Sequence, residues 1–588
     1  MIIAGPGTGK TRTLAYRIAA AVTERGVRPD RCLAITFTRR AAQELADRVA
    51  ALLPRRRRQP VITTFHGLGL LILRECHARA GLSAGFGVAG EETVRAMATE
   101  VAGSERAGAS LLAAGDPQQR ERLRAALADR DLVDFDGLLD LPVALLREDP
   151  ELAERHRQRW QQICVDEYQD VDARQYELLR LLAGDGRGLT AIGDPDQAIY
   201  GFRGADVGFF LSFGRDYPGA ATVQLTRNYR SAPAIVASAL QAVGPATLVP
   251  GRALHPVRPA GRELPDRITL HQAADEEAEG AWIAETIDRL LGGASFHSLD
   301  TRRADGHGVS GLALAGIAVL YRTDAQAAAL GQALTRAGLP FQKRSHDRLA
   351  RRTAVRDIVR ELSLTAPAGG NGAAQEEGPA GGNGAAGEEG PAGSDGAAGG
   401  EGPAGSAGGD GAVVTRLRAA VRRLTDQAPL RGLAPVDVLA AGEVLAPLAR
   451  RCGSDLDGFL TEIALGAEAD SLDPRADAIT LLTLHAAKGL EFDVVFLAGC
   501  ERGLLPLRLP GAGPGEPAGL AEERRLLFVG MTRARSHLFL SCAAQRTRHG
   551  ATLAGGPSPF LGAIDPGLID RAVPARPRRQ AARQLRLL

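Results

Sequence analysis

The run QQICV at 161–165 stops on two adjacent acids, Asp166 and Glu167, and this constrains the fold more than any other stretch. A short Ile-Cys-Val segment bounded by charge is a strand buried on both faces, which belongs inside a parallel sheet. Its acids then stand at the carboxyl edge, where open α/β folds present their ligand-binding groups. Asp166 is placed there to hold Mg2+, and Glu167 to orient or deprotonate a water. Two acids at an ordinary strand-to-loop turn would be the plainer explanation. Tyr168-Gln-Asp170 and the segment AIGDPDQAIYGFRGA (191–205), which carries Gln197, leave that explanation little room.

The start of the chain supplies the complement. Met1-Ile-Ile is a strand remnant, and AGPGTGKT (4–11) has the pattern of a phosphate-binding loop with Ala in its first position. Small residues at Gly5, Pro6, Gly7, Thr8 and Gly9 let backbone N–H groups curl around phosphates. Lys10 then reaches the β- and γ-phosphates and the Thr11 hydroxyl takes the metal, with Arg12 on the same turn. Only three of the 71 basic residues are lysines, so a chain biased towards Arg keeps Lys at position 10. A compact ammonium rather than a planar fork is wanted there. A second lysine, Lys488, falls in another motif treated below. Loop and acids together predict a nucleoside triphosphate and Mg2+ site in a nucleotide-driven motor; ATP is what the resemblance given below implies.

At 588 residues the chain is expected to hold several domains, since single cores stop growing at about 250–300 residues. No apolar run of about 18 residues predicts a membrane span, and no charged-then-apolar leader precedes the first motif. The six cysteines (Cys32, Cys76, Cys164, Cys452, Cys500 and Cys542) lack CxxC spacing, which points away from zinc or iron–sulfur sites and towards the cytoplasm. Residues 367–412 are almost wholly Gly, Ala, Pro, Asn, Ser and acids, with EGPA recurring at 377, 389 and 401. No packed core can come from this, so a disordered spacer is expected. Its seven acids and no bases leave +9 on the rest of a chain whose net charge is +2, a balance friendlier to a polyanion.

Elsewhere strands and helices alternate, as in parallel-sheet α/β domains. Strands are expected at 31–38, 60–67, 163–166, 189–193 and 222–226, and a second set at 316–323, 478–485, 493–500 and 536–542. Residues 76–160 are helical and charged, without clear strands.

In this order the chain carries AGPGTGKT (4–11), TFTRRAAQEL (36–45), TTFHGLG (63–69), DFDGLL (134–139), VDEYQD (165–170) and AIGDPDQAIYGFRGA (191–205). LTRNYRS (225–231), IAVLYRTDAQ (317–326), LLTLHAAKGLEFDVVFLAGCERGLLP (481–506) and EERRLLFVGMTRAR (522–535) follow. Together these strings resemble the superfamily 1 DNA helicases of the UvrD/Rep/PcrA group over nearly the whole chain. The resemblance implies two RecA-like P-loop parallel-sheet domains, each with a helical insertion. The first domain would span 1–75 and 161–262, with its insertion at 76–160. The second would span 263–349 and 475–560, with a reduced insertion at 350–474 that contains 367–412, and 561–588 would be a basic tail.

Carried over by position, Gln197 and Arg230 would sense the γ-phosphate, Tyr229 would stack on adenine and Glu491 would hold the ribose. Arg533 would be an arginine finger from the second domain, a device that stabilises charge on the transferring phosphoryl group. The single-stranded DNA track would run over Phe37, Phe65, His66, Tyr200, Phe202 and His485, since single strands bind by stacking on aromatic faces plus backbone contacts. Phe202 stands where the family often has Trp, and His66 and His485 could instead be satisfied loop histidines. The implied activity is ATP-driven 3′→5′ translocation on single-stranded DNA and unwinding at single-strand/duplex junctions, in repair or replication at the bacterial nucleoid.

The sequence departs from the family in three places. The family's adenine-reading glutamine motif lies upstream of the phosphate loop, and nothing stands before Met1. That predicts a start placed too late, or a piece of a longer protein. The small second insertion leaves open a translocase that displaces proteins without efficient unwinding, and the short start leaves open an inactive DNA-binding fragment. The end, Gln584-Leu-Arg-Leu-Leu588, is similar to the peptide that bacterial proteins insert into the sliding clamp, with Leu for its final Phe; a plain basic tail is the alternative.

Overall fold

The computed structural model describes residues 1–54, 58–258, 267–293, 309, 311–344, 353–364, 412–427, 434–465, 477–508, 517–548 and 551–572. They fall into two compact units, Met1–Leu349 with Ala464–Leu588, and Ala350–Ile463.

The first unit is organised by two parallel sheets, as the alternation of strands and helices predicts. The six-stranded sheet runs in the order Val61–Thr64, Cys32–Thr36, Gln162–Val165, Leu189–Gly193, Ile2–Ala4, Val223–Leu225. All its pairings are parallel, so every strand delivers its following loop to one edge. The central strands Cys32–Thr36 and Gln162–Val165 are buried throughout, as a strand covered on both faces must be. Strand Val61–Thr64 stops earlier than the expected 60–67 because the Thr64 hydroxyl accepts from Gly67 N at 3.2 Å and starts helix Phe65–Cys76. Thr38 does the same for helix Arg39–Leu52.

The seven-stranded sheet runs Phe341–Arg344, Ile479–Thr483, Ile317–Tyr321, Phe492–Leu497, Ala534–Ala543, Ile268–Ala273, Ile569–Ala572, again all parallel. Three of these were not expected: Phe341–Arg344, Ile268–Ala273 and Ile569–Ala572. The first and last are edge strands, whose polar residues blur the apolar run that marks a central strand. Ile569–Ala572 also corrects the expected tail at 561–588. Phe560, Leu561 and Ile564 enter the core and Ile569 pairs with Ile268, so the packed chain continues to 572. Residues 573–588, with Gln584–Leu588, lie outside the described residues, as does 367–411 of the spacer.

Between strands of the first sheet, helices Glu91–Ala102, Glu105–Ala114 and Pro117–Ala128 pack around Met97, Ala98, Leu111, Leu123 and Leu127, a small core of their own. The expected absence of strands there is corrected in detail: Gly87–Val88 and Leu132–Val133 form a two-residue parallel pair. The second unit consists of helices Thr353–Leu364, Ala412–Gln427, Pro435–Cys452 and Leu456–Leu465, among whose residues Val355, Ile358, Leu417, Leu424, Leu445 and Phe459 are buried. No helix among the described residues is long and apolar enough to cross a membrane.

Candidate active site

Strand Ile2–Ala4 leads through Gly7 (φ 67°) and Gly9 (φ 87°), both in the left-handed region open to glycine, into helix Lys10–Thr23. The first turn of that helix carries no acid and no side chain caps it, so its free N–H groups face an anion site. The loop is pinned from the LTRNYRS segment. Asn228 Nδ2 donates to Pro6 O at 2.7 Å, and Tyr229 N donates to Gly7 O at 2.8 Å. A Cβ on Gly7 would lie 2.6 Å from the Cβ of Arg230, so this approach needs glycine. Thr8 closes the turn on itself, donating to Gly5 O at 2.7 Å.

The acid pair stands where the sequence puts it, directly after Val165. Glu167 adopts φ 50°, a left-handed conformation that costs a side-chain-bearing residue of order 1–3 kcal/mol and turns its carboxylate back towards the loop. Lys10 Nζ meets Glu167 Oε1 at 2.7 Å, and Gln169 Nε2 donates to Glu167 Oε2 at 2.5 Å. Burial, then the neighbouring Glu167 charge, pushes the Asp166 carboxyl well above its ordinary range. Burial acts on Glu167 in the same sense, but the Lys10 and Lys488 ammoniums outweigh it and hold Glu167 below its ordinary range.

Gln197 follows strand Leu189–Gly193 and is 2% exposed. Its Nε2 donates to Asp194 Oδ2 at 2.8 Å, while its Oε1 accepts from Arg533 Nη2 at 3.2 Å. Arg533 comes from the other sheet, directly before strand Ala534–Ala543, and burial followed by the Arg230 charge lowers its guanidinium to about 9. Arg230 donates to Glu491 Oε2 and Thr532 O, at 2.7 and 3.1 Å. Glu491 also pairs with Arg535. Lys488 pairs with Asp170 and donates to the Gln197 carbonyl at 2.5 Å. Tyr229 is exposed, with Arg12 5.3 Å and Arg227 5.8 Å from its ring centre, which leaves an aromatic face beside the phosphate loop. Lys10, Asp166, Glu167, Gln197, Arg230, Glu491 and Arg533 thus converge between the two sheets.

These residues fit a nucleoside triphosphate: a glycine-requiring loop, an uncapped helix start and cations on both sides answer three clustered phosphates. Thr11, Asp166 and Glu167 offer only hard oxygen donors, the set Mg2+ takes alongside substrate phosphates. A Mg2+ held there would neutralise charge developing on the β- and γ-phosphate oxygens.

The aromatic positions divide. Phe37 stacks on Tyr200 (5.2 Å between centres, 12°), and Phe202 meets His485 edge-on at 5.2 Å. Phe202 is 65% exposed and offers an open face. Tyr200 is only 2% exposed here, its ring wedged between the two sheets and its hydroxyl donating to His485 O at 3.2 Å. Phe65 is likewise buried, among Leu33, Leu68 and Leu139, because the cap at Thr64 turns it into the first residue of a helix. His66, the next residue, stacks on Phe135 at 3.7 Å.

The UvrD/REP helicase N-terminal domain model matches residues 1–115 and 112–218, and the UvrD-like helicase C-terminal domain model matches 223–368 and 446–545. The chain belongs to the UvrD/REP helicases. ATP-dependent DNA helicase UvrD2 of Mycobacterium tuberculosis is 33% identical over 98% of this chain and 81% of its own length. ATP-dependent DNA helicase PcrA of Bacillus subtilis is 30% identical over 97% of this chain and 84% of its own. ATP-dependent DNA helicase UvrD1 of M. tuberculosis is 31% identical over 97% and 83%.

Several residues of this UvrD/REP helicase site were not singled out from sequence. Asp170, Gln169 and Asp194 sit inside quoted motifs, but only the fold shows Gln169 Oε1 accepting from Asp194 N at 2.9 Å. Phe135 lies in DFDGLL, whose role no local pattern announces. Arg252 belongs to no motif. It forms ion pairs with Asp194 and Asp196, at 2.7 and 2.8 Å, and nothing in its neighbourhood in sequence marks it.

Proposed function

We propose that this UvrD/REP helicase is a DNA-dependent ATPase that translocates 3′→5′ on single-stranded DNA and unwinds duplex at single-strand junctions, serving repair or replication at the bacterial nucleoid. The observation that carries the reading is the Gln197 amide, held between Asp194 of one sheet and Arg533 of the other. A group bridged in this way responds to any change in the separation of the sheets, and a γ-phosphate at the site would add a third partner. Lys10 and the loop Gly5–Thr11 bind the phosphates with Arg12 beside them, and Tyr229 and Glu491 receive the base and ribose. Thr11 and Asp166 hold Mg2+, Glu167 orients and accepts a proton from the attacking water, and Arg230 and Arg533 stabilise the charge that develops. The DNA strand runs over Phe37, His66, Phe202 and His485, and Phe202 offers the most open ring.

The test is steady-state ATP hydrolysis with and without single-stranded DNA, beside Glu167→Gln, followed by unwinding of forked duplexes with a 3′ or a 5′ tail. Strong DNA stimulation lost in Glu167→Gln, with unwinding only from the 3′ tail, supports the reading. Hydrolysis without unwinding, but with displacement of streptavidin from a biotinylated strand, would replace it with a protein-displacing translocase. Binding of the peptide Gln584–Leu588 to the sliding clamp is a further element of the proposal, and calorimetry with the tail deleted tests it.

A further inference from the structure

We propose that Arg252, which lies outside every motif, is a positioning residue that fixes the Gln197 amide and ties it to the helix leading to Arg533. The inference rests on the roles given above to Gln197 and Arg533. The Arg252 side chain is 7% exposed, and the two carboxylates it meets are wholly buried. Nη1 donates to Asp194 Oδ1 at 2.7 Å and to Asp196 Oδ2 at 2.8 Å, and Nη2 donates to Asp194 Oδ2 at 2.7 Å. That same Oδ2 accepts from Gln197 Nε2. With the amide nitrogen engaged, Gln197 presents its carbonyl oxygen to Arg533. An Asp194 carboxylate freed from the fork can rotate, and the amide with it, turning an NH2 group towards a cation.

The guanidinium also touches two other parts of the site. A Cβ on Gly5 of the phosphate loop would come within 3.2 Å of Nη2, so the loop lies directly against it. Its Cζ stands 4.9 Å from the ring centre of Phe528, a fully buried residue on helix Pro517–Met531 of the second sheet. Arg525 of that helix donates to Ala198 O at 3.1 Å, next to Gln197, and the helix ends two residues before Arg533. One planar cation therefore joins the phosphate loop, the Gln197 loop and the approach to Arg533. Lysine would keep the charge but, as a point donor, could not hold a fork on Asp194 and a flat face on Phe528 together.

The experiment is ATP hydrolysis at saturating single-stranded DNA by the full chain as Arg252→Lys, Gln197→Ala, the double variant and Phe528→Leu. Arg252→Lys is expected to lower kcat at least about tenfold with KM for ATP within about twofold, since it removes an interaction used in the transition state. The double variant is expected to be no slower than Gln197→Ala, because both changes act through one amide. Unchanged kcat in Arg252→Lys beside an impaired Gln197→Ala overturns the proposal alone, as does multiplication of the two effects. Full turnover in Gln197→Ala overturns the reading of the site and the proposal with it. Should Arg252→Lys not fold, Phe528→Leu leaves every charge in place and decides: DNA stimulation is expected to fall about threefold or more, and unchanged stimulation overturns the proposal.

Discussion

The two sheets place a helix after corresponding strands and give it opposite chemistry. In the first, strand Ile2–Ala4 runs through glycines into helix Lys10–Thr23, whose first turn has no acid and whose N–H groups are uncapped. In the second, strand Ile268–Ala273 leads to helix Glu276–Leu290, capped by Asp275 and carrying Glu276, Glu277 and Glu279 in its first turn. Acids there satisfy the helix dipole internally and repel phosphate, whereas the bare helix start invites it. The carboxyl edge of the second sheet is closed by a buried cluster. Glu279 accepts from Gly499 N at 2.9 Å and Ser541 Oγ at 2.7 Å, and Arg546 pairs with both Glu279 and Glu501. The second sheet instead contributes Glu491 and Arg533 from the amino ends of Phe492–Leu497 and Ala534–Ala543. On the function proposed above, two sheets of one design divide the work by edge: one would bind phosphates and the other would reach across to them.

The largest effect that could break this contrast is at Lys10. Lys10→Ala is expected to lower turnover by about 10²–10³ while single-strand binding stays intact, as hydrolysis and fluorescence anisotropy would show. Replacing both Glu276 and Glu277 by Ala, on the corresponding helix, should leave turnover unchanged. Next is the closed edge. Arg546→Met leaves Glu279 and Glu501 buried without their cation and is expected to cost about 3–5 kcal/mol in urea unfolding. A fully stable variant would mean the cluster does not hold the second edge.

Aromatic residues sharpen the comparison at a smaller scale. Phe202→Ala is expected to weaken single-strand binding by about 1–3 kcal/mol with unchanged stability. Phe65→Ala should do the reverse, losing about 3–5 kcal/mol of stability as a core cavity. The smallest effect is in pH. Burial lowers the proton affinity of His156, whose Nδ1 is buried without a partner, so the folded chain binds that proton less readily than the unfolded one. Below about pH 6.5 the unfolded chain takes up that proton and the folded one resists it, so its share of stability is present at neutral pH and lost as pH falls. His156→Phe should therefore lose less stability between about pH 7 and pH 5 than the parent chain, by urea midpoints.

Much of the site was legible because its residues follow strands whose apolar runs are local patterns. Asp166 and Glu167 end one such run, Lys10 follows a glycine loop after another, and both therefore fall on the same edge. The burial of Phe65 and Tyr200 was not legible, for a related reason. Aromatic residues just past a strand can face solvent or core, and sequence does not distinguish them. Thr64 capping a helix decided the first, and packing against Phe37 and His485 the second.

By itself the sequence determined the α/β class, the phosphate loop, the acid pair and the family, because each is carried by residues close together along the chain. Only the tertiary structure decided that Arg533 meets Gln197, that Arg252 holds Asp194, that Phe202 rather than Tyr200 offers an open ring, and that Ile569–Ala572 completes the second sheet. Those are contacts between segments far apart in the chain. They form when apolar faces are buried together, and no short stretch encodes which partner each residue will find.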